Sequence, residues 1–163
     1  TAIYLHPTAT PKATAKPTAA GTKLKNKNAS YQVVSANPKQ PTVTYVQNLK
    51  KTAASVTVPA QVKIGSVTYK VVAIGFKAFA NNKKLKTLTI GKNITTIGKN
   101  AFAGCKKLKK ITIKSTKLKS GTIGKNAFKG TAKNLVVKVP RKQYRAYKKF
   151  LKKKGNKKVK IKK

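Results

Sequence analysis

The feature that most constrains this chain is that it repeats itself. IGFKAFANNKKLKTLTI begins at Ile74, IGKNAFAGCKKLKKITI at Ile97 and IGKNAFKGTAKNLVVKV at Ile123. The offsets are 23 and then 26 residues, and the extra three fall in the connector, where KSTKLKSGT replaces GKNITT. In this register Phe79, Phe102 and Phe128 coincide. So do Leu88, Ile111 and Val137, and then Ile90, Ile113 and Val139. The alternation at the end of each copy predicts a short strand with every second residue on one face. One such copy cannot bury its own apolar face, whereas stacked copies share an interior. The three phenylalanines are then expected as an internal column.

The spacing names the kind of stack. A period of 20 to 29 residues with L-x-x-L-x-L spacing marks a leucine-rich-repeat solenoid. Leu85-x-x-Leu88-x-Ile90-x-x-Asn93 carries that pattern whole, and Leu108-x-x-Ile111-x-Ile113 lacks only the trailing Asn. The third copy is degenerate, with Asn134 where Leu85 and Leu108 stand and Leu135 beside it, as terminal repeats tend to be. Val56 and Val58 in SVTVPA mimic the strand positions before the first full copy. We therefore expect a β-rich, leucine-rich-repeat-like solenoid with short helical turns, an N-terminal β hairpin cap and a C-terminal capping helix.

The flanks divide accordingly. Residues 1–28 open with prolines among Thr and Ala and predict a linker. Within them TAIYLH has the pattern of a neighbour's last strand, and the chain, which begins on Thr1, is expected to be a piece of a longer protein. Residues 29–163 form the repeat domain. Its part 29–73 holds β-type runs, SYQVVSA and TVTYVQ around the turn cluster NPKQP, with a hairpin turn at Gly65–Ser66. The repeats occupy 74–139. Residues 140–163 carry a helix limited by Pro140 and Gly155, with Tyr144, Tyr147 and Leu151 on one face, then a last strand at VKI and a basic tail.

Composition then removes most chemistry. The 163 residues hold 40 Lys plus Arg and no Asp or Glu. Without carboxylates there is no acid–base pair, no partner to orient a histidine and no hard-oxygen site for calcium or magnesium. One His (His6) and one Cys (Cys105) cannot hold zinc, and a Cys–His nucleophile would need those two alone. A desolvated lysine nucleophile is conceivable, but nothing singles one out. We expect no enzyme, no cofactor and no metal. No run of about 18 apolar residues is present, so no membrane insertion is expected.

The repeated IGxxAFxxCxxLxxIxI resembles the BspA-like, or type 5, leucine-rich repeats of bacterial surface proteins, over about residues 54–139. The flanking β region, helix and basic tail resemble the lysine-rich C-terminal modules of such proteins. Only Cys105 fills the motif's Cys position, with Asn82 and Thr131 in its place elsewhere, which suits a small buried turn residue rather than a reactive thiol. The resemblance implies a secreted or cell-wall location in a bacterium, a role in adhesion or attachment, and no catalytic residues.

The charge still needs a purpose. Two ammonium groups about 10 Å apart repel by only ~0.4 kcal/mol in water, but 40 charges with many neighbours reach several kcal/mol in sum. Solubility needs only a few units of net charge. A polyanion partner gives a fuller account, because neutralising many anionic groups releases counterions. Teichoic acid, an acidic polysaccharide or a glycosaminoglycan fits a surface module, expected as a monomer within a larger chain. Nonspecific nucleic-acid binding, a structural spacer, an engineered charge and membrane lysis by the helix are the other readings. The repeat aligns Lys83 with Lys106, Lys84 with Lys107, Lys86 with Lys109, and Lys99 with Lys125. These rows, with Arg141, Lys142, Arg145, Lys148, Lys149, Lys152 and Lys153 of the dense C-terminal segment, are the predicted polyanion contacts. Lysine dominates over arginine, which suits diffuse attraction rather than bidentate recognition.

Overall fold

The computed structural model describes residues 15–163; TAIYLH and His6 lie outside the described residues. In chain order the elements are β1 (Lys23–Lys25), β2 (Ala29–Ser35), β3 (Thr42–Asn48), β4 (Ser55–Val58), β5 (Gln61–Ile64), β6 (Val67–Ile74) and β7 (Thr87–Ile90). There follow β8 (Thr96–Ile97), β9 (Lys110–Ile113), β10 (Val136–Lys138), α1 (Tyr144–Leu151) and β11 (Lys160–Lys162).

The predicted strands stack in parallel. One sheet runs β11-β10-β9-β7-β4, and every neighbouring pair in it is parallel. Its register places Val56, Leu88, Ile111, Val137 and Ile161 in one row, and Val58, Ile90 and Ile113 in the next. All of these are buried. The intervening residues point outward, as a two-residue period requires.

The facing wall comes from the start of each copy. β6 pairs with β8 through Ile74 and Ile97, and Ile97 bridges to Ile123. From there each chain turns through Ala-Phe, and each turn hydrogen-bonds to the next: Phe79 N–H to Ala101 O at 2.8 Å, Phe102 N–H to Ala127 O at 2.9 Å, Phe128 N–H to Lys154 O at 2.8 Å. The phenylalanines form the expected internal column. Phe79 and Phe102 lie 5.6 Å apart by ring centroid, and Phe102 and Phe128 lie 5.7 Å apart. Tyr45 extends it, stacked on Phe79 at 5.2 Å, and Tyr31 meets Tyr45 edge-on at 5.3 Å.

This turn needs left-handed backbone at two places. Before the Ala-Phe pair stand Lys77, Asn100 and Asn126, with φ of 53°, 56° and 59°. After it stand Asn81, Gly104 and Gly130, and Gly155 takes the same place in the last turn, with φ between 59° and 108°. Asn and Gly tolerate this conformation, which explains their recurrence in the motif. The Gly that opens each copy serves closeness instead: a Cβ on Gly124 would fall 2.2 Å from the backbone nitrogen of Lys99.

Both ends extend the stack further than the sequence indicates. At the N-terminus β2 and β3 form an antiparallel hairpin, and β5 and β6 form another through the Gly65–Ser66 turn. β3 joins β6 in parallel, giving a sheet ordered β1-β2-β3-β6-β5, with β8 also on β6. Part of the segment 1–28 is built into the fold. β1 pairs with β2, Pro17 is buried, and Thr18 N–H donates to the Tyr69 hydroxyl at 3.1 Å. Leu24 packs against the core, so a single apolar residue between lysines suffices to hold this strand.

At the C-terminus a 3-10 turn at Arg141–Gln143 leads into α1, which buries Tyr147 and Leu151. The Tyr147 hydroxyl donates to Ser115 O at 2.8 Å and accepts from Leu118 N–H at 3.1 Å. Gly155-Asn156 then repeats the Gly104-Cys105 and Gly130-Thr131 turn, and Asn156 Nδ2 donates to Thr131 Oγ1 at 2.9 Å. Val159 and Ile161 enter the core. The expected capping helix and last strand therefore close the solenoid as its final turn.

Candidate functional site

All fifteen predicted contact residues are exposed. The structure carries them on three parts of the turn. Lys83, Lys84, Lys86 and their equivalents Lys106, Lys107 and Lys109 lie on the loop before the strand. Lys109 N–H donates to Lys86 O at 3.0 Å, so those two side chains leave adjacent backbones, one strand spacing of about 4.8 Å apart. Lys99 and Lys125 stand on the Ala-Phe turn, where Asn100 N–H donates to Lys125 O at 3.1 Å. The position ahead of Lys99 in this row holds Phe76, which is 60% exposed with Lys77 Nζ 5.1 Å from its ring centroid. Arg141, Lys142, Arg145, Lys148, Lys149, Lys152 and Lys153 lie on the 3-10 turn, α1 and the residues just after it.

Another concentration of lysines is one that sequence reasoning missed. A cleft of about 480 Å³ on the outer face of the parallel sheet is lined by Lys109, Lys110, Asn134, Val136, Lys138, Lys162 and Lys163. Only Lys109 belongs to the predicted set. The pairing explains the gathering: Lys138 lies beside Lys162, and Lys110 is separated from Lys160 by Val136 alone. The signal was present in the sequence, because a strand that buries Ile111, Val137 and Ile161 must expose the residues on either side. Lys163 Nζ also sits 5.2 Å from the Tyr144 ring centroid, and Lys148 Nζ sits 5.5 Å from it, so α1 adjoins the cleft.

These ammonium groups have no acidic side chain anywhere in the chain to pair with. Lysine side chains that line one hollow repel one another, and the closer their ammonium groups the greater the cost. Lysine suits such a site as a set of mobile point charges on long stems.

Cys105 offers no chemistry. It is fully buried, burial raises its thiol pKa to about 11, and Sγ donates to Phe79 O at 2.9 Å. The thiolate needed for nucleophilic attack is therefore suppressed. Among the described residues no helix is long and apolar enough to cross a membrane.

Comparison with known proteins places the chain among repeat proteins. The BspA type Leucine rich repeat region family matches residues 56–163 in six copies. A leucine rich cell surface protein of Faecalibacterium prausnitzii A2-165 is 26% identical, with a TM-score of 0.57, over 74% of this chain and 37% of that one. A leucine-rich repeat protein of Bacteroides capillosus ATCC 29799 shares the fold at 17% identity and a TM-score of 0.59, covering 86% of this chain and 99% of that one. One of Bacteroides ovatus ATCC 8483 does so at 23% identity and a TM-score of 0.50, covering 73% and 38%. The chain thus spans less than two fifths of the Faecalibacterium and Bacteroides ovatus proteins. No curated protein sequence matches it.

Proposed function

Because the chain belongs to the BspA-type leucine-rich repeat family, we propose that it is a non-enzymatic surface module that attaches a larger bacterial protein to anionic polymers through its lysines. The observation that carries this reading is the cleft lined by Lys109, Lys110, Lys138, Lys162 and Lys163. Charge kept only for solubility has no need of five lysine side chains lining one hollow, and their mutual repulsion adds to the energy of the empty protein. A polymer bearing phosphates, sulfates or carboxylates relieves that repulsion and releases its own counterions. Teichoic acid and acidic polysaccharides of a cell envelope, or the glycosaminoglycans of a host, have this chemistry.

Nucleic acid fits less well. Phe79, Phe102, Phe128, Tyr31, Tyr45, Tyr69 and Tyr147 are all buried, so few rings are free to stack on bases. A purely structural spacer is the second reading, and the likeness to other repeat folds supports it without using the charge.

Chromatography on immobilised heparin and on teichoic acid separates the two readings. A binding module is retained at roughly 0.15 M salt, with log affinity falling linearly against log salt at a slope near the number of groups neutralised. A spacer washes off both columns at that salt.

A further inference from the structure

The outer face of the parallel sheet does not end at the lysine cleft. At its far edge, between the β2–β3 hairpin and β4, lies a second hollow of about 340 Å³. Asn26, Asn28, Lys50, Ser55 and Thr57 give it polar walls, and its floor is formed by core residues, among them Tyr31, Tyr45, Val56 and Val62. Asn28 stands out among them. Its Oδ1 is enclosed and accepts no hydrogen bond from the protein. The fold does not use that oxygen: Asn26 Oδ1 takes the N–H groups of Asn28 and Ala29 at 2.8 and 2.9 Å, and Leu49 N–H bonds to the Asn28 backbone carbonyl at 2.9 Å. An enclosed acceptor without a donor is unfavourable, and turning the Asn28 side chain into the hollow would bring it to a ligand hydroxyl. Tyr31, Ser55, Thr57 and Lys50 line the same hollow. This set complements a polyol carrying negative charge.

The two hollows are joined by hydroxyls. Ser55 pairs with Thr87, and Thr87 pairs with Lys110. Thr57 pairs with Thr89, Thr89 with Thr112, and Thr112 with Lys138. All of these project from the outer face, since the residues between them are buried. Four strand spacings from β4 to β11 make a path of about 19 Å.

We propose that this face is one continuous track for an acidic polysaccharide. A sugar residue sits in the Asn28–Tyr31 hollow, ring hydroxyls lie along the threonines, and anionic groups reach the lysine cleft. This rests on the polyanion reading and narrows it: a polymer with charge but no hydroxyl chemistry, such as polyphosphate, uses the cleft alone.

The test is titration of the intact protein with a polyuronate and with polyphosphate at physiological salt. Asn28→Ala, and the pair Thr89→Val with Thr112→Val, should each weaken polyuronate binding about fivefold and leave polyphosphate binding at the wild-type level. Lys138→Gln with Lys162→Gln should weaken both polymers. The melting temperature of Asn28→Ala should equal or exceed wild type, because its oxygen bonds nothing in the protein and its enclosure is unfavourable; a fall would assign Asn28 to the fold and overturn its place in the track. Equal losses for both polymers in the Asn28 and threonine variants, or no loss, overturn the track and leave the cleft standing. Failure of the wild-type protein to hold either polymer overturns the polyanion reading itself.

Discussion

At the scale of single residues, the turn motif contains one position where the sequence works against its own fold. Lys77 has φ of 53°, and its equivalents are Asn100 and Asn126. A lysine in this region is strained by roughly 1 kcal/mol, and asparagine by less. Lys77 recovers part of this by lying 5.1 Å over the Phe76 ring, a contact worth about 0.5 kcal/mol at an exposed site. Lys77→Asn relieves most of the strain and gives up the weaker ring contact. It should therefore stabilise the protein by roughly 0.5 kcal/mol, or about 1–2 °C in melting temperature. Calorimetry on the two proteins decides it, and a lower melting temperature for the variant would show that the cation–ring contact outweighs the strain. The same scale explains why one repeat position is displaced from where counting puts it. Asn134 occupies the Leu108 position by count, yet Leu135 fills the hole and Asn134 is exposed. Leu135 N–H bonds to Ala132 O, as Leu108 N–H bonds to Cys105 O, so a one-residue insertion in the turn is absorbed before β10 begins. Residue counting could flag the degeneracy but not where the backbone would take up the slack.

At the scale of elements, strands whose apolar residues alternate were legible, because one buried face fixes their register. β4, β7, β9 and β10 sit where Val56, Leu88, Ile111 and Val137 put them. β1 was not legible: Lys-Leu-Lys gives one apolar residue and no pattern, and its place depends on the open edge that β2 offers. The lysine cleft escaped for a related reason. It is assembled from outward positions of three strands together with Lys109, Asn134 and Lys163 beside them, so no local run announces it. α1 was legible from its limits and its apolar face, but its task was only half so. Its anchor is Tyr147, whose hydroxyl serves both Ser115 O and Leu118 N–H in the connector one turn back. Tyr147→Phe keeps the ring in place and leaves two buried backbone groups without partners, which should cost about 1–3 kcal/mol. Tyr144, half-buried and with no hydrogen bond of this kind, provides the control: Tyr144→Phe should change stability little. Urea unfolding of both variants reads the difference, and equal midpoints would remove the helix's hydrogen bond from any role in holding the end of the stack.

At the scale of the whole molecule, a protein without carboxylate side chains should answer pH unlike most others. Acid unfolding ordinarily comes from protonating carboxylates that are ionised and paired in the fold. This chain has no Asp or Glu, and His6 is its only side chain that ordinarily titrates between about pH 3 and pH 8. The alkaline side differs. Burial raises the Tyr31 hydroxyl to about 12 and the Cys105 thiol to about 11, and moves Tyr45 and Tyr147 upward as well. For each of these groups the folded pKa exceeds the unfolded one, so the fold favours the neutral form. That stabilisation is complete below the ordinary pKa and disappears as pH climbs through the folded value. The expected profile is therefore flat from about pH 3 to about pH 9 and falls between about pH 9 and pH 12. Salt acts at every pH on that plateau, because screening weakens the repulsion among 40 cationic side chains that no acid offsets. Raising the ionic strength should move the denaturation midpoint up throughout, and a polyanion that binds the folded form should do so at far lower concentration. Urea midpoints at acid and neutral pH, each at low and moderate sodium chloride, form the experiment. A loss of stability between about pH 3 and pH 6 would mean that something other than carboxylate titration governs the fold in acid. A midpoint indifferent to salt would mean that the lysines are already too far apart to repel, and the cleft would then lose its reason to seek an anion.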